Sequence, residues 1–173
     1  MIFFTSDTHF GDAPRIRIDH RPFKSIAAHD KALIERWNAA VGLSDEIYHL
    51  GDFTASKDPT HASELLAALN GRKHLLIGNN DPPTTVDDKG WASVAHYAEI
   101  EVEGRLLILC HYPFRTWRDM GKGAIDLHGH SHGRLKEETR QYDVGVDVFD
   151  YRPVTLAAIL ASRGRRRGAR ADP

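Results

Sequence analysis

The chain has 173 residues, of which 41% are hydrophobic and 27% are charged, a balance typical of one globular domain. Its apolar runs are much shorter than the roughly 18 residues that a membrane span needs. The opening IFFTSD lacks the basic segment and cleavage site of a signal peptide. The single cysteine, Cys110, excludes an internal disulfide, and we therefore expect a cytoplasmic protein.

The net charge of −1 is distributed unevenly along the chain. Residues 163–173 carry five arginines and one aspartate, or +4, so the rest of the chain carries −5. A mildly acidic body is a poor surface for nucleic acid, which is therefore not an expected partner. The sequence predicts one domain over residues 1–162 and a basic, disordered tail over 163–173.

Strand-like and helical patterns alternate in the first half. Short apolar runs predict strands, and apolar residues at helical spacing predict helices, over the ranges 2–6, 29–41, 46–50, 59–71 and 74–77 in chain order. Thr60 is the expected N-cap of the helix over 59–71. This β-α-β-α-β order, with strands apolar throughout, is typical of a sheet that helices cover.

The second half is richer in strands. Residues 97–111 predict a hairpin that turns at Glu103-Gly104. Short strands follow within 124–133 and 142–147, and the segment 153–163 predicts a last helix with Thr155 as its N-cap. We therefore expect an α/β protein with two sheets packed face to face and helices outside.

Metal-ligating side chains follow directly after five of the predicted strands. They are Asp7, His9, Asp52, Asn79, His111, His130 and His132. Sites in α/β sheets form at the carboxyl ends of strands, so we expect these side chains to meet. Oxygen and imidazole donors without a thiolate suit Mn, Fe, Zn, Co or Ni better than Ca or Mg. Seven ligands suffice for two ions about 3.5–4 Å apart, an arrangement that catalyses displacement at phosphorus.

The ordered motifs D-x-H, G-D, G-N-x-D, H and G-H-x-H strongly resemble the calcineurin-like metallophosphoesterase superfamily. The match runs from Asp7 to His132, and the segment VGVD (144–147) continues the likeness to small bacterial members. The resemblance implies a four-layer α/β/β/α sandwich of two mixed β-sheets flanked by helices. It also implies that a metal-bound hydroxide hydrolyses a phosphodiester or phosphoanhydride bond of a small, nucleotide-like substrate.

The resemblance further implies how the ligands divide between two divalent or trivalent transition-metal ions. Manganese is the expected metal, with iron or zinc as alternatives. The first ion would be held by Asp7, His9, Asp52 and His132. The second would be held by Asn79, His111 and His130, with Asp52 bridging both ions.

Asn80 departs from the family pattern, in which position x of G-N-x-D is a histidine that protonates the leaving oxygen and the next Asp, here Asp81, orients its ring. An amide can donate a hydrogen bond to a phosphoryl oxygen but does not titrate. General acid catalysis contributes roughly 10²–10⁴-fold. Three alternatives follow: a leaving group of low pKa, another donor such as His20 or His128, or slow turnover.

Two arginines in the segment 11–23, Arg15 and Arg21, are candidate substrate-binding residues, because a guanidinium binds phosphate in a bidentate manner. The alternative is that both are solvated loop charges. Three rival functions stay open: a phosphomonoesterase, a non-catalytic metal-binding scaffold of the same fold, and a nuclease, which a steep salt dependence of binding would favour. His49 and His74 lie within strands, where we expect packed, hydrogen-bonded side chains rather than catalytic ones.

Overall fold

The computed structural model describes residues 1–136 and 138–169. Two mixed β-sheets flanked by helices make up the fold, which confirms the predicted fold class. The elements are β1 Ile2–Thr5, α1 Ala13–Ile18, α2 Ile26–Ala40, β2 Glu46–His49, α3 Pro59–Ala68, β3 Arg72–Leu76, α4 Pro83–Val86, β4 Ser93–Ala95, β5 Tyr97–Val102, β6 Arg105–Cys110, β7 Ile125–His128, β8 Gln141–Asp143, β9 Val154–Thr155 and α5 Leu156–Ala169.

The first sheet has the order β4-β3-β2-β1-β9, in which β9 is antiparallel and the other strands are parallel. Because side chains alternate along a strand, its two faces bury different residues. Phe3, Ile47 and Leu75 pack against α2 and α3 on the outer face, where Trp37 and Leu65 complete the cluster. The helices are therefore held by burial against the apolar side chains of this face.

The second sheet has the order β5-β6-β7-β8, with the predicted hairpin as its antiparallel pair. Leu107 and Leu127 on its inner face meet Phe4 of the first sheet in a second core cluster, to which Ile159 of α5 adds. Segment 112–124 lies over the outer face, where the backbone N–H of Phe114 donates to Asp126. The two sheets thus pack on each other through apolar side chains. In this arrangement β1, β2, β3, β6 and β7 end at the same edge of the fold.

The sequence predicted two helix caps, at Thr60 and at Thr155, and the structure treats them differently. Asp58, not Thr60, is the N-cap of α3, because its carboxylate accepts the backbone N–H of Thr60 at 2.9 Å and Pro59 occupies the first turn. The prediction for Thr155 is confirmed, since its Oγ1 accepts the N–H of Ala158 at 3.4 Å. In the predicted tail, α5 continues to Ala169, and residues 170–173 lie outside the described residues.

In the part of the chain that the structure describes, no helix combines the length and the apolar character that a bilayer span requires.

The two strand histidines are packed and hydrogen-bonded, as predicted. His74 bonds to Ser93 Oγ at 2.7 Å and stacks on Tyr48. His49 is fully buried, and its Nε2 lies 2.9 Å from Thr8 Oγ1. Because that hydroxyl donates to the carbonyl of Phe53, it accepts from His49, which places the ring proton on Nε2. The Nδ1 atom of His49 is buried without a hydrogen-bond partner.

We expect the metal-free protein to lose stability on acidification because of His49. Burial lowers the pKa of His49 to about 3, whereas an unfolded histidine titrates near 6.5. Below about pH 6.5 His49 therefore binds a proton in the unfolded chain but not in the folded chain. The free energy of unfolding then falls by up to about 1.4 kcal/mol per pH unit. Guanidinium unfolding between pH 7 and 4.5 measures this slope. His49→Gln keeps a donor to Thr8 and should reduce the pH dependence of the free energy of unfolding by the contribution of one proton. The same slope in the variant and the native chain would contradict the assignment to His49.

Candidate metal centre

The side chains that follow the five strand ends lie together at one edge of the fold. His9 Nε2 is 3.5 Å from Asp52 Oδ2, and His111 Nε2 is 3.6 Å from Asp52 Oδ1. His132 Nε2 is 3.7 Å from Asp7 Oδ1. These nitrogen–oxygen separations leave room for an ion between each pair, because metal–ligand bonds to such atoms are about 2.0–2.3 Å long.

Two overlapping groups of three side chains each place one ligand atom within 4.8 Å of the others. One comprises Asp7, His9 and His132, and the other comprises Asp7, Asp52 and His111. Asn79 and His130 lie beside them: Asn79 Oδ1 is 3.1 Å from His111 Nε2, and the His130 ring centroid is 5.1 Å from that of His111. The structure therefore brings all seven candidate ligands to one place.

The His9 ring is the best indication that a cation belongs here. It is 0% exposed, and neither ring nitrogen has a hydrogen-bond partner. An unsatisfied buried polar atom costs roughly 1–3 kcal/mol, and a ligand bound to the ring would remove that cost at His9. The donor set fits a transition metal, because it combines neutral imidazoles with carboxylates.

The protonation states also suit a cation. Burial lowers the pKa of His9, His111 and His130, which leaves their lone pairs free. Burial likewise raises the pKa of Asp7 well above its usual range; His132 opposes this effect, and the charges of Asp143 and Asp52 add to it. A bound cation would compensate that carboxylate, which is fully buried.

Hydrogen bonds to protein acceptors determine which ring nitrogen carries the proton in His111 and in His132. The Nδ1 of His111 donates to the carbonyl of Leu50 at 2.7 Å, and the Nδ1 of His132 donates to Asp147 at 2.8 Å. When either ring is neutral, Nε2 is therefore the nitrogen left for a metal, since a neutral imidazole carries one proton. These Nε2 atoms are the ones that face Asp52 and Asp7.

The backbone at the centre is left-handed at five of the candidate ligands. The φ angles lie between 48° and 65° at Asp7, His9, Asp52, His130 and His132. This region is sparsely populated for residues other than glycine and is found most often at functional sites. Two glycines allow the close approach: a Cβ at Gly78 would lie 2.3 Å from Asp52 Oδ1, and one at Gly51 would lie 2.6 Å from His111 Nδ1.

Asn80 bonds to Asp52 through both of its N–H groups. Its backbone N–H donates to Asp52 Oδ1 at 2.8 Å, and its side-chain amide donates to Oδ2 at 2.7 Å. Asp81 turns the other way: its carboxylate accepts backbone N–H groups of Asp52, Phe53 and Gly78. Asn80 therefore holds the side chain of Asp52, and Asp81 holds its backbone.

The other predicted residues are spread around the centre. Arg15 is 22% exposed, and its charge lowers the pKa of both His9 and His130, after the larger effect of burial. Arg21 is buried and faces the protein, with its guanidinium on Asp147. His20 is exposed in the turn after α1.

His128 is buried at the end of β7, where its Nδ1 donates to the Gly129 carbonyl. It lines a small cavity of about 30 Å³ together with Tyr142 and Asp143. The structure therefore brings Arg15 towards the candidate ligands, and turns Arg21 and His128 to neighbouring protein groups.

Sequence reasoning missed two aspartates that hold the ligands from behind. Asp147 bonds to His132, and Asp143 accepts from the hydroxyl of Ser131 and the N–H of Gly133 in the same loop. Asp143 is the last residue of β8 and Asp147 lies four residues beyond it, so acidic residues at the end of a short strand were the available signal. Asp19 also approaches His132 Nδ1, at 3.5 Å.

Asp19, His132 and Asp147 form a third close group, but guanidinium groups surround it. Arg21 pairs with Asp147, and Arg134 pairs with Asp19 at 2.6 Å. These positive charges already compensate the carboxylates. The group is therefore a charge-balanced network behind His132 rather than a cation site.

Comparison with known proteins gives relatives over most of the chain. The uncharacterized protein MJ1445 of Methanocaldococcus jannaschii is 34% identical over 167 residues, covering 92% of this chain and 89% of its own length. The crystal structure of AQ665 from Aquifex aeolicus, a protein of unknown function, matches with a TM-score of 0.74 and 24% identity over 93% of this chain and 98% of its own. No protein-family model matches.

A third match is Yfce, described as a phosphoesterase from E. coli, with a TM-score of 0.51 and 13% identity. It covers 83% of this chain and 77% of its own. At these identities the two solved structures establish a shared α/β fold. The sequence match over nearly the full length goes further, and the chain belongs to the same family as MJ1445 of Methanocaldococcus jannaschii.

Proposed function

We propose that the chain is a metal-dependent phosphoesterase that uses two transition-metal ions, with manganese first and iron or zinc as alternatives. The observation that carries the proposal is the convergence of seven candidate ligands around a buried His9 whose ring nitrogens have no hydrogen-bond partner. The fold shared with Yfce, described as a phosphoesterase, supports the same reaction class.

The proposed ligands divide into two sets that share one carboxylate. Asp7, His9 and His132 would hold the first ion, and Asn79, His111 and His130 would hold the second. Asp52 faces His9 with one oxygen and His111 with the other, which suits a bridging position. When bound, such ions lower the pKa of a coordinated water towards roughly 7 and so supply a nucleophile at neutral pH.

Asn80 shapes the substrate that we propose. Its side chain is engaged with Asp52 and cannot give up a proton, so a leaving group that needs protonation would react slowly. We propose a phosphoanhydride or a phosphodiester with a leaving group of low pKa, in a small nucleotide-like substrate. His20, which is exposed in the turn after α1, is the histidine that we propose would assist if the leaving group needs a proton.

Arg15 is the substrate-binding residue that we propose, because its half-buried guanidinium lies near both His9 and His130. Its ion contacts to Asp12 and Asp19 are long, at 3.5 and 3.7 Å, which leaves its donors available for a phosphoryl oxygen. Arg21, in contrast, uses its guanidinium within the protein.

Arg15→Met is expected to raise KM by roughly tenfold or more, since a hydrogen bond to a charged group is worth about 1.5–3 kcal/mol. The change in kcat should be smaller, because the metal ligands are intact. Arg17→Met on the same helix is the matched control, as Arg17 is exposed. Steady-state kinetics on the best substrate measure both constants, and equal KM values for the two variants would remove Arg15 from the site.

A hydrolysis panel tests the proposed function. Cyclic nucleotides, dinucleotides, sugar nucleotides and phosphomonoesters are incubated with the protein in Mn²⁺ and in EDTA. Turnover of diesters or anhydrides that EDTA abolishes is the expected result. Preference for monoesters would favour the phosphomonoesterase alternative, and metal binding without turnover of any class would favour the non-catalytic scaffold.

A further inference from the structure

The Arg21 guanidinium is fully occupied inside the protein, at 3% exposure. Its Nε and Nη2 atoms donate hydrogen bonds to the two carboxylate oxygens of Asp147, at 2.9 and 2.8 Å. Its Nη2 also donates to the carbonyl of Asp7 at 2.7 Å, and Nη1 donates to the carbonyl of Thr8 at 3.0 Å. The last donor faces His29 Nε2 at 2.8 Å. All five N–H groups of an arginine thus have acceptors.

The His29 contact has a defined direction. Arginine has no acceptor, so Arg21 donates and His29 Nε2 accepts. The ring proton of His29 is then on Nδ1, which donates to Asp30 at 2.7 Å. The other oxygen of Asp30 accepts the N–H of Gly11 at 3.0 Å, and the network closes on the loop that carries His9.

Two parts of the first metal's ligand set meet at Arg21. On one side, Asp147 accepts the Nδ1 proton of His132, which leaves Nε2 directed at Asp7. On the other side, the carbonyls of Asp7 and Thr8 belong to the left-handed turn that presents two ligands. These two parts are more than 120 residues apart in sequence, and one side chain bonds to both.

We propose that Arg21 is a positioning residue for the first metal ion: through Asp147 it holds the His132 ring, and through two carbonyls it holds the turn over residues 7–9. The inference rests on the proposed function, because it needs the metal centre. It assigns Arg21 no contact with substrate. Groups that orient ligands in this way affect metal affinity by about 10–100-fold.

Arg21→Lys is the first test, because lysine keeps the charge opposite Asp147 but cannot reproduce the planar fork with five donors. Chelator-treated protein is titrated with Mn²⁺ by calorimetry, and bound manganese per chain is measured after gel filtration. We expect the affinity for one ion to fall at least about tenfold, while the other ion binds as in the native protein. Asp147→Asn, which keeps the shape, should weaken the same ion and serves if Arg21→Lys does not fold.

Arg36→Lys is the matched control, since Arg36 bonds to the backbone carbonyl of Asp150 outside the centre. This variant should bind manganese as the native protein does. Unchanged affinity in both Arg21→Lys and Asp147→Asn would overturn the inference. Equal weakening of both ions, with a lower unfolding temperature of the metal-free protein, would overturn it too, because that result marks a general structural role. A native protein that binds no Mn²⁺ would instead defeat the proposed function itself.

Discussion

Asp52→Asn is expected to abolish phosphoester hydrolysis and to deplete the chain of both metal ions. The substituted amide has one oxygen instead of two and no charge, so it cannot serve the His9 side and the His111 side together. It also places an amide nitrogen or a neutral oxygen against donors of Asn80 that now meet a carboxylate. We expect activity to fall by more than about 100-fold, the upper range for groups that only orient ligands.

Metal content by elemental analysis and turnover on the best substrate of the panel measure this prediction. Asp88→Asn supplies the control, because it makes the same chemical change away from the centre, where Asp88 bonds to Ser63 and Gly90. Native metal content and native turnover in Asp52→Asn would show that Asp52 is not a shared ligand.

Asn80→His is expected to change the selectivity for leaving groups. A histidine at this position can protonate a departing alkoxide, whereas a nitrophenolate leaves without help. General acid catalysis contributes about 10²–10⁴-fold, so the ratio of alkyl to nitrophenyl phosphoester rates should rise by at least about tenfold. The ratio matters more than either rate, because removal of the Asn80 amide also weakens the support of Asp52.

Asn80→Ala separates these two effects. It removes the side-chain bond to Asp52 without providing an acid, so both substrate classes should slow together and the ratio should stay at the native value. If Asn80→His alters both classes equally, as Asn80→Ala does, then proton donation is not what position 80 lacks.

The sequence was sufficient for the fold class because burial and strand order leave few arrangements. The run IFFT is followed at once by Ser6 and Asp7, and RKHLL is followed three residues later by Asn79. Parallel strands bring such residues to a common edge. Local chemistry also located Thr155 as an N-cap. It failed at Thr60 because Asp58 and Thr60 are both good caps, and the position of Pro59 at the first turn decides between them.

The surroundings of the centre could not be predicted in the same way. Arg21, in the segment RPF, resembles a solvated loop arginine, and nothing local indicates a partner at Asp147. The short helix α1 buries no residues, so it has no apolar periodicity to detect. Asn80 could be recognised as unable to titrate, but its bond to Asp52 depends on two separate strand ends that only the fold brings together.

The left-handed backbone at five candidate ligands has a consequence for stability. Each such residue costs roughly 1 kcal/mol or more relative to a relaxed conformation, and glycine would remove most of that cost. Glycine would also remove the bonds that the side chain makes, such as those from the His130 N–H to Asp7 and from Asn80 to Asp52. The five positions therefore combine strained backbone with side chains whose bonds offset part of the strain.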